Sequence, residues 1–220
     1  MPQPPDWNRR DWMKTATAAG LASGFSTARA ATPADPDRIR AENAKPGTRD
    51  WMNTNVRVDP KTKFRSPGIE GYASRTSVRP GESLTLHVST NPASRFTVEL
   101  YRMGFYQGHG ARLVEKLGPF PGQVQPDPEI GPMRLRECLW EPCVTITIPE
   151  DWVSGVYLGK LRTEREGLES YVVFVVRDDR RADYLFQVSD NTWNAYNRWP
   201  MNFALYDDGK KNWYWGPDVQ

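Results

Sequence analysis

Apolar and polar residues alternate in several short runs in the middle of the chain. The clearest run is residues 83–89, where Leu84, Leu86 and Val88 fall on one face of the predicted strand. The same period of two predicts further strands at residues 69–74, 96–102, 111–117, 144–148, 155–162 and 170–177. Turn-forming Gly, Pro and Asn residues separate these runs at intervals of roughly 8–12 residues, the spacing of an all-β domain. The chain is therefore predicted to be mainly β.

Two turn phrases refine this prediction to a sandwich. Pro80-Gly81-Glu82 forms a turn directly before the run at 83–89, an order common in immunoglobulin-like domains. In the phrase at 149–157, Trp152 and Tyr157 are predicted to pack at a corner where Gly155 lets the chain bend. We therefore expect an immunoglobulin-like β-sandwich over residues 64–178.

The segments on either side of the sandwich have a different composition. Residues 31–63 are polar and rich in Pro, Asp and Arg, which predicts a linker or arm with one helical turn near 36–43. After a charged joint, the apolar run at 184–189 predicts a strand, and the polar residues 190–197 predict a loop at its carboxyl end. Residues 179–220 are thus expected to begin an α/β domain. One strand and one loop cannot bury their own apolar surface, so we expect this domain to be incomplete here.

The first thirty residues have the order of an export signal. Arg9 and Arg10 come first, a weakly apolar stretch follows, and Ala28-Arg29-Ala30 has the pattern of a cleavage site. The paired arginines predict export by the twin-arginine pathway, and hence a periplasmic or extracellular location. An amphipathic N-terminal helix is the alternative interpretation. No stretch approaches the roughly 18 apolar residues of a membrane helix, so no membrane anchor is expected.

The net charge bears on the kind of binding partner, and the two cysteines bear on whether a disulfide forms. The chain has 29 Lys+Arg and 27 Asp+Glu; residues 1–30 hold four basic and two acidic groups, which leaves 25 of each afterwards. A neutral chain gives no indication of a nucleic-acid partner. Export favours a disulfide between Cys138 and Cys143, whereas folding in the reducing cytoplasm before twin-arginine export favours two separate thiols. Both alternatives remain open.

Four phrases in order resemble a known enzyme family. They read FTVELYRMGFY at 96–106, LRECLWEP at 135–142, WVSGVYLGKL at 152–161 and DNTWNAYNRWP at 190–200. They are similar to the large (beta) subunit family of N,N-dimethylformamidase, over roughly residues 43–220. The resemblance implies a sandwich followed by an α/β domain of the glutamine-amidotransferase type. It also implies hydrolysis of the C–N bond of a small amide at an iron held by two tyrosines and a glutamate, with a second subunit or a homo-oligomer as possible partners.

Within this resemblance, Tyr196 matches the first ligand tyrosine, and four polar residues lie where the active-site rim would be. The rim residues are Asp190, Asn191, Thr192 and Asn197. A phenolate is a hard oxygen ligand that suits Fe(III), and a site of such ligands leaves positions for water and an amide carbonyl. The chain ends before the stretches expected to supply the other ligands. We therefore expect it to bind no iron and to be inactive alone. The alternatives are a non-catalytic binding module, whose aromatic residues at 193–215 stack on sugars, and a truncated gene product without function.

Overall fold

The computed structural model describes residues 37–62, 65–129, 131, 136–180, 182 and 184–200. The export signal predicted at 1–30 and the aromatic residues beyond 200 lie outside this range. Its helices are α1 (Arg38–Asn43) and α2 (Asp190–Tyr196), with a short 3-10 helix at Tyr106–Gly108. Its strands are β1 (Glu70–Ala73), β2 (Ser77–Val78), β3 (Ser83–Ser89), β4 (Phe96–Met103), β5 (Ala111–Phe120), β6 (Val144–Thr147), β7 (Gly155–Thr163) and β8 (Glu169–Val176).

The strands form two sheets, which confirms the mainly β prediction. The smaller sheet has the order β1-β3-β6 and the larger one the order β2-β8-β7-β4-β5. Every pairing is antiparallel except that of β2 with β8. All seven strands predicted within the sandwich are present to within a few residues at each end. Only β2 was not predicted, because two residues are too few to show an alternation.

Side chains from both sheets share one apolar core. Leu84, Leu86 and Val88 of β3 are fully buried, and they belong to the same cluster as Leu100 of β4 and Phe174 of β8. Burial of each such side chain contributes about 1.5–3 kcal/mol to folding. Packing against the opposite sheet therefore explains the period of two in β3, because alternate residues of the strand face that sheet.

The predicted corner between β6 and β7 is confirmed. The rings of Trp152 and Tyr157 stack with centroids 4.8 Å apart and planes within 1°. Tyr157 also stacks on Phe174 of β8 at 5.6 Å. A side chain at Gly155 would place its Cβ 3.2 Å from the guanidinium of Arg102. Glycine therefore leaves the room that Arg102 occupies beneath the corner.

The arm before the sandwich packs against it over residues 37–62. Thr48 makes a β-bridge with Ala111 at the start of β5. The backbone N–H groups of Thr54 and Asn55 donate to the carboxylate of Glu169 in β8, at 2.6 and 3.2 Å. The arm is thus fixed at several points by side chains of the larger sheet, and α1 corresponds to the helical turn predicted near 36–43.

The strand predicted at 184–189 is wrong, and so is the loop predicted at 190–197. Tyr184, Leu185 and Phe186 are 93%, 93% and 80% exposed, and no described residue pairs with them as a strand would. Apolar alternation alone does not make a strand without a neighbour to accept its backbone hydrogen bonds. The polar stretch after it forms helix α2, whose first turn holds Asp190 at the end where a negative charge is favourable. Neither described helix has the length and the apolar composition that a membrane crossing would need.

Candidate functional site

The structure separates the residues that the resemblance grouped as one site. Asp190, Asn191 and Thr192 line a shallow depression of about 410 Å³ at the start of α2. Tyr196 lies at the other end of the helix with half of its surface exposed, and α2 has no buried residue. Asn197, directly after the helix, lines a different cleft, which has a volume of about 400 Å³. Of the five predicted residues, only Asn197 therefore reaches this cleft.

The cleft lies between the sandwich and the turn that follows α2. The turn contributes Asn197 and Trp199, and the sandwich contributes β1, the start of β8 and the irregular chain around residue 140. We call it the Trp199 cleft. It is lined by Arg65, Ser66, Glu70, Gly71, Tyr72, Cys138, Trp140, Ser170, Asn197 and Trp199.

Trp199 anchors the turn to the sandwich through three contacts. Its indole Nε1 donates to Glu70 Oε1 at 3.0 Å. Its ring meets Trp140 edge to face, with centroids 5.7 Å apart and planes at 77°. The guanidinium of Arg65 lies over the same ring, 5.2 Å from its centroid. Aromatic pairs and cation–π contacts each contribute about 0.5–1.5 kcal/mol beyond the apolar area they bury. Together these contacts hold one end of the segment 184–200.

Arg65 is held in place by two carboxylates. Its Nε is 2.9 Å from Glu70 Oε1, and its Nη1 is 2.8 Å from Asp127 Oδ2. The side chain of Arg65 is only 15% exposed. Burial alone would lower the pKa of Arg65, but the hydrogen bonds to Asp127 and Glu70 outweigh burial and raise it. Arg65 therefore stays cationic and keeps Glu70 oriented toward the indole of Trp199.

The aromatic wall of the cleft is built from β1, β3 and the chain near residue 140. Tyr72 and His87 stack with centroids 4.7 Å apart and planes within 7°. The Tyr72 hydroxyl donates to the carbonyl of Cys138 at 2.9 Å and accepts from the N–H of Trp140 at 3.3 Å. His87 Nδ1 lies 2.7 Å from the Trp140 carbonyl, to which it donates. A segment without secondary structure is thus fixed by side chains of the smaller sheet.

The two cysteines are free thiols, which agrees with the alternative of two separate thiols and not with a disulfide. Cys143 Sγ lies 3.4 Å from the carbonyl of Val88, to which it donates. Cys138 lines the Trp199 cleft. Burial raises the pKa of the Cys138 thiol from 9.0 to about 11, with smaller contributions from the carboxylates of Asp127 and Glu70.

The Cys138 thiol is expected to react slowly with alkylating reagents. Two pKa units above an ordinary thiol leave about a hundredfold less thiolate at pH 8, and the thiolate is the reactive form. In a Cys143→Ser variant, iodoacetamide should therefore modify Cys138 roughly a hundred times more slowly in the native protein than in urea. Mass spectrometry of intact protein measures the rate. Equal rates in the two conditions, or a disulfide in unreduced wild-type protein, would contradict this assignment.

The described part of the chain does not fit the iron that the resemblance implies. A group of three or more His, Cys, Asp or Glu residues able to hold a metal ion does not occur among the described residues. Tyr196 is 50% exposed on a helix whose side chains are all outside the core. A phenol alone does not make a metal site, which needs several ligands around the ion. The role of Tyr196 as an iron ligand therefore stays a prediction.

Fold and cleft together define a β-sandwich against which the segment 184–200 is held by Trp199. A family model described as "N,N-dimethylformamidase beta subunit-like, C-terminal" matches residues 97–218, more than half of the chain. The chain belongs to this family, and the resemblance found in the four phrases is confirmed. The matched region includes all of β4 but its first residue, strands β5–β8, Trp140, Tyr196 and Trp199. Arg65 and Glu70 lie before it.

The comparisons with curated proteins and with solved structures add no further family assignment. None of the curated proteins matches the chain. Among solved structures, the chain is similar to the PKD domain of an M14-like peptidase from Thermoplasmatales archaeon SCGC AB-540-F20. The match has 13% identity and a TM-score of 0.28, and covers 58% of this chain and 98% of that domain.

The residues of the Trp199 cleft were only partly foreseen. Asn197 and Cys138 were singled out for other roles, and Trp140 and Trp199 stood in the family phrases without a role. Arg65 and Glu70 were missed. Their pairing offers no local sequence signal, because Arg65 lies in an irregular stretch and Glu70 is the first residue of a short strand.

Proposed function

We propose that this chain provides the sandwich part of an N,N-dimethylformamidase-like, metal-dependent amide hydrolase, and that it is not catalytic alone. On this proposal the sandwich positions the segment that carries Tyr196, and no described residue other than Tyr196 takes part in breaking the C–N bond. The iron ligands other than Tyr196 come from outside the described residues. Membership of the family supports the reaction class.

The Trp199 anchor is the observation that carries the positioning role. Trp199 lies three residues after Tyr196, so its contacts with Glu70, Trp140 and Arg65 fix the chain next to that tyrosine. At the other end of the segment, Arg79 Nη2 binds Asp179 Oδ1 at 3.0 Å across the joint after β8. Between these two points α2 buries no residue. Burial in the core therefore does not hold the helix, and on this proposal the contacts at these two points position it.

Removal of the Trp199 side chain is expected to increase the mobility of α2 without unfolding the sandwich. Trp199→Ala should speed amide hydrogen exchange in residues 190–197 by roughly 10–100-fold, since it removes about 1.5–3 kcal/mol of local contacts. The melting temperature should move little, because none of the core side chains is altered. Trp193→Ala is the matched control: Trp193 lies on α2 itself and is 56% exposed. It should leave exchange near residue 197 unchanged.

The wild-type preparation also tests the non-catalytic role. The purified wild-type chain should hold less than one equivalent of iron by elemental analysis and should release no dimethylamine from N,N-dimethylformamide. Hydrolysis by this chain alone would refute the non-catalytic role. Unchanged exchange in Trp199→Ala would instead refute the positioning role without affecting the non-catalytic role.

A further inference from the structure

The Trp199 cleft has the size and the walls of a small-molecule site. Its volume of about 400 Å³ falls within the roughly 300–1,000 Å³ typical of ligand pockets. Three aromatic side chains, those of Tyr72, Trp140 and Trp199, line it. Aromatic rings in a cleft offer flat apolar surface, against which the C–H face of a ring-shaped ligand packs well.

The charged groups of the cleft are paired with one another. Arg65 and Glu70 both line the cleft and are 2.9 Å apart at their nearest atoms, and Asp127 pairs with the same guanidinium at 2.8 Å. Because the guanidinium and the carboxylates neutralise one another, neither sign of charge is left uncompensated to attract a charged ligand. A hydroxyl group is different, because it can donate to the carboxylate and accept from the guanidinium at the same time.

Further hydrogen-bonding capacity lies at the start of β8. The hydroxyl of Ser170 lines the cleft and has no hydrogen-bond partner among the described residues. Asn197 also lines the cleft, and its Oδ1 accepts from the N–H of Trp199 at 3.0 Å. The cleft therefore combines polar side chains with its aromatic rings. A ligand with hydroxyl groups around its rim and an apolar face matches this arrangement.

The walls are also fixed before any ligand arrives. Trp140 Nε1 donates to the carbonyl of Pro126 at 2.7 Å, and the Tyr72 hydroxyl already uses both its donor and its acceptor. Walls held in this way lose little freedom on binding, which lowers the cost of association.

From this combination we propose that the Trp199 cleft binds a neutral sugar ring, such as one residue of a glycan. The aromatic wall packs against the C–H face of the ring, and the Arg65–Glu70 pair and Ser170 bond to its hydroxyl groups. The assignment goes beyond the hydrolase role and does not depend on it. Because the occupant would touch both Asn197 and Trp199, it would lie next to the segment that carries Tyr196.

The experiment uses the full chain and the methyl glycosides of glucose, galactose, mannose and N-acetylglucosamine. Saturation-transfer NMR should detect binding of at least one of them, and a titration of tryptophan fluorescence should give a Kd in the millimolar range or tighter. Ser170→Phe, which fills the cleft, should weaken that binding by at least about tenfold. Thr145→Phe is the matched control, since it places the same ring on an exposed strand position of the other sheet.

Two outcomes overturn the proposal. One is that none of the four glycosides binds at concentrations up to roughly 50 mM, well above the millimolar range of weak ligands. The other is that Ser170→Phe and Thr145→Phe bind as well as the wild-type chain. If Ser170→Phe fails to fold in a thermal melt, Ser170→Ala decides: it should weaken binding about two- to tenfold, as loss of one hydrogen bond does, and an unchanged Kd refutes the site.

Discussion

Replacement of Glu42 by Ala is expected to lower the free energy of unfolding by about 3–5 kcal/mol, the cost of breaking a buried ion pair by removing one partner. Glu42 is the one buried residue of α1, and only 2% of it is exposed. Its carboxylate receives Arg112 Nη2 at 2.6 Å, Lys45 Nζ at 2.7 Å and the Tyr106 hydroxyl at 2.8 Å. Loss of the carboxylate leaves the guanidinium of Arg112 and the hydroxyl of Tyr106 without their acceptor.

The same carboxylate makes stability depend on pH. Burial alone would raise the pKa of Glu42, but hydrogen bonds from Lys45, Arg112 and Tyr106 outweigh it and lower the pKa from 4.5 to about 2. A pKa that is lower in the folded than in the unfolded state stabilises the fold fully above pH 4.5, and that stabilisation is lost as the pH falls toward 2. The difference is worth on the order of 3 kcal/mol.

Thermal melts at pH 7 and pH 3 measure both effects. Glu42→Ala should melt roughly 10 °C below wild type at pH 7, at about 2–4 °C per kcal/mol for a chain of this size. Glu42→Gln should lose less stability than wild type between pH 7 and pH 3. Glu129→Gln, at an exposed glutamate, is the control and should follow wild type. Equal pH slopes for Glu42→Gln and wild type would contradict the assigned role.

Replacement of Lys160 by Met is expected to cost about 2–4 kcal/mol of unfolding free energy, since it removes the nearer of two cations from a buried carboxylate and leaves only Arg162, 3.9 Å away. Lys160 Nζ lies 3.1 Å from Glu169 Oε1, and these side chains are 8% and 2% exposed. The ammonium also donates to the carbonyls of Asp50 and Met52, both at 2.9 Å. The pair therefore binds the arm as well as joining β7 to β8.

A double-mutant cycle distinguishes the ion pair from simple packing. Lys160→Met with Glu169→Leu should cost less than the sum of the two single changes, because the pair leaves no uncompensated charge when both partners go. The double variant should still be less stable than wild type, since the N–H groups of Thr54 and Asn55 lose their acceptor.

Lys116→Met supplies the matched control for this cycle. Lys116 pairs with Glu99 at 2.6 Å on the same sheet, but its side chain is 65% exposed. Exposed pairs contribute about 0–1 kcal/mol, so this variant should unfold almost as wild type does in urea. Additive costs in the double variant would show that Lys160 and Glu169 act independently.

The strands were predictable and the docking of the arm was not, for a physical reason. In a sandwich each strand has one buried face, so β3 and β4 show their burial as a local period of two. The arm is fixed by a few contacts between distant parts of the chain: Glu42 and Tyr106 are 64 residues apart, and Thr54 and Glu169 are 115 apart. No local pattern contains such a pairing. The apolar run at 184–189 led to a wrong strand prediction for the converse reason. It alternates like a strand but has no described neighbour to pair with.

The site was predictable only where the family phrases reached it. Trp140 and Trp199 lie in two of these phrases, and the structure brings their rings together. Asn197 was predicted at a rim and lines the cleft. Arg65 and Glu70 became visible only in the fold, because their role comes from the residues that meet them and not from their spacing.

The arm also covers part of the exposed edge of the larger sheet. Strand β5 is the outermost strand of that sheet, and it pairs with β4 alone apart from the bridge between Ala111 and Thr48. An outermost strand with unpaired backbone groups is a template on which a second chain can add itself. The arm covers one end of this template, and Lys116 places a charge further along it. Loss of the Glu42 contact would therefore remove protection against chain-to-chain association at the same time as it removes stability.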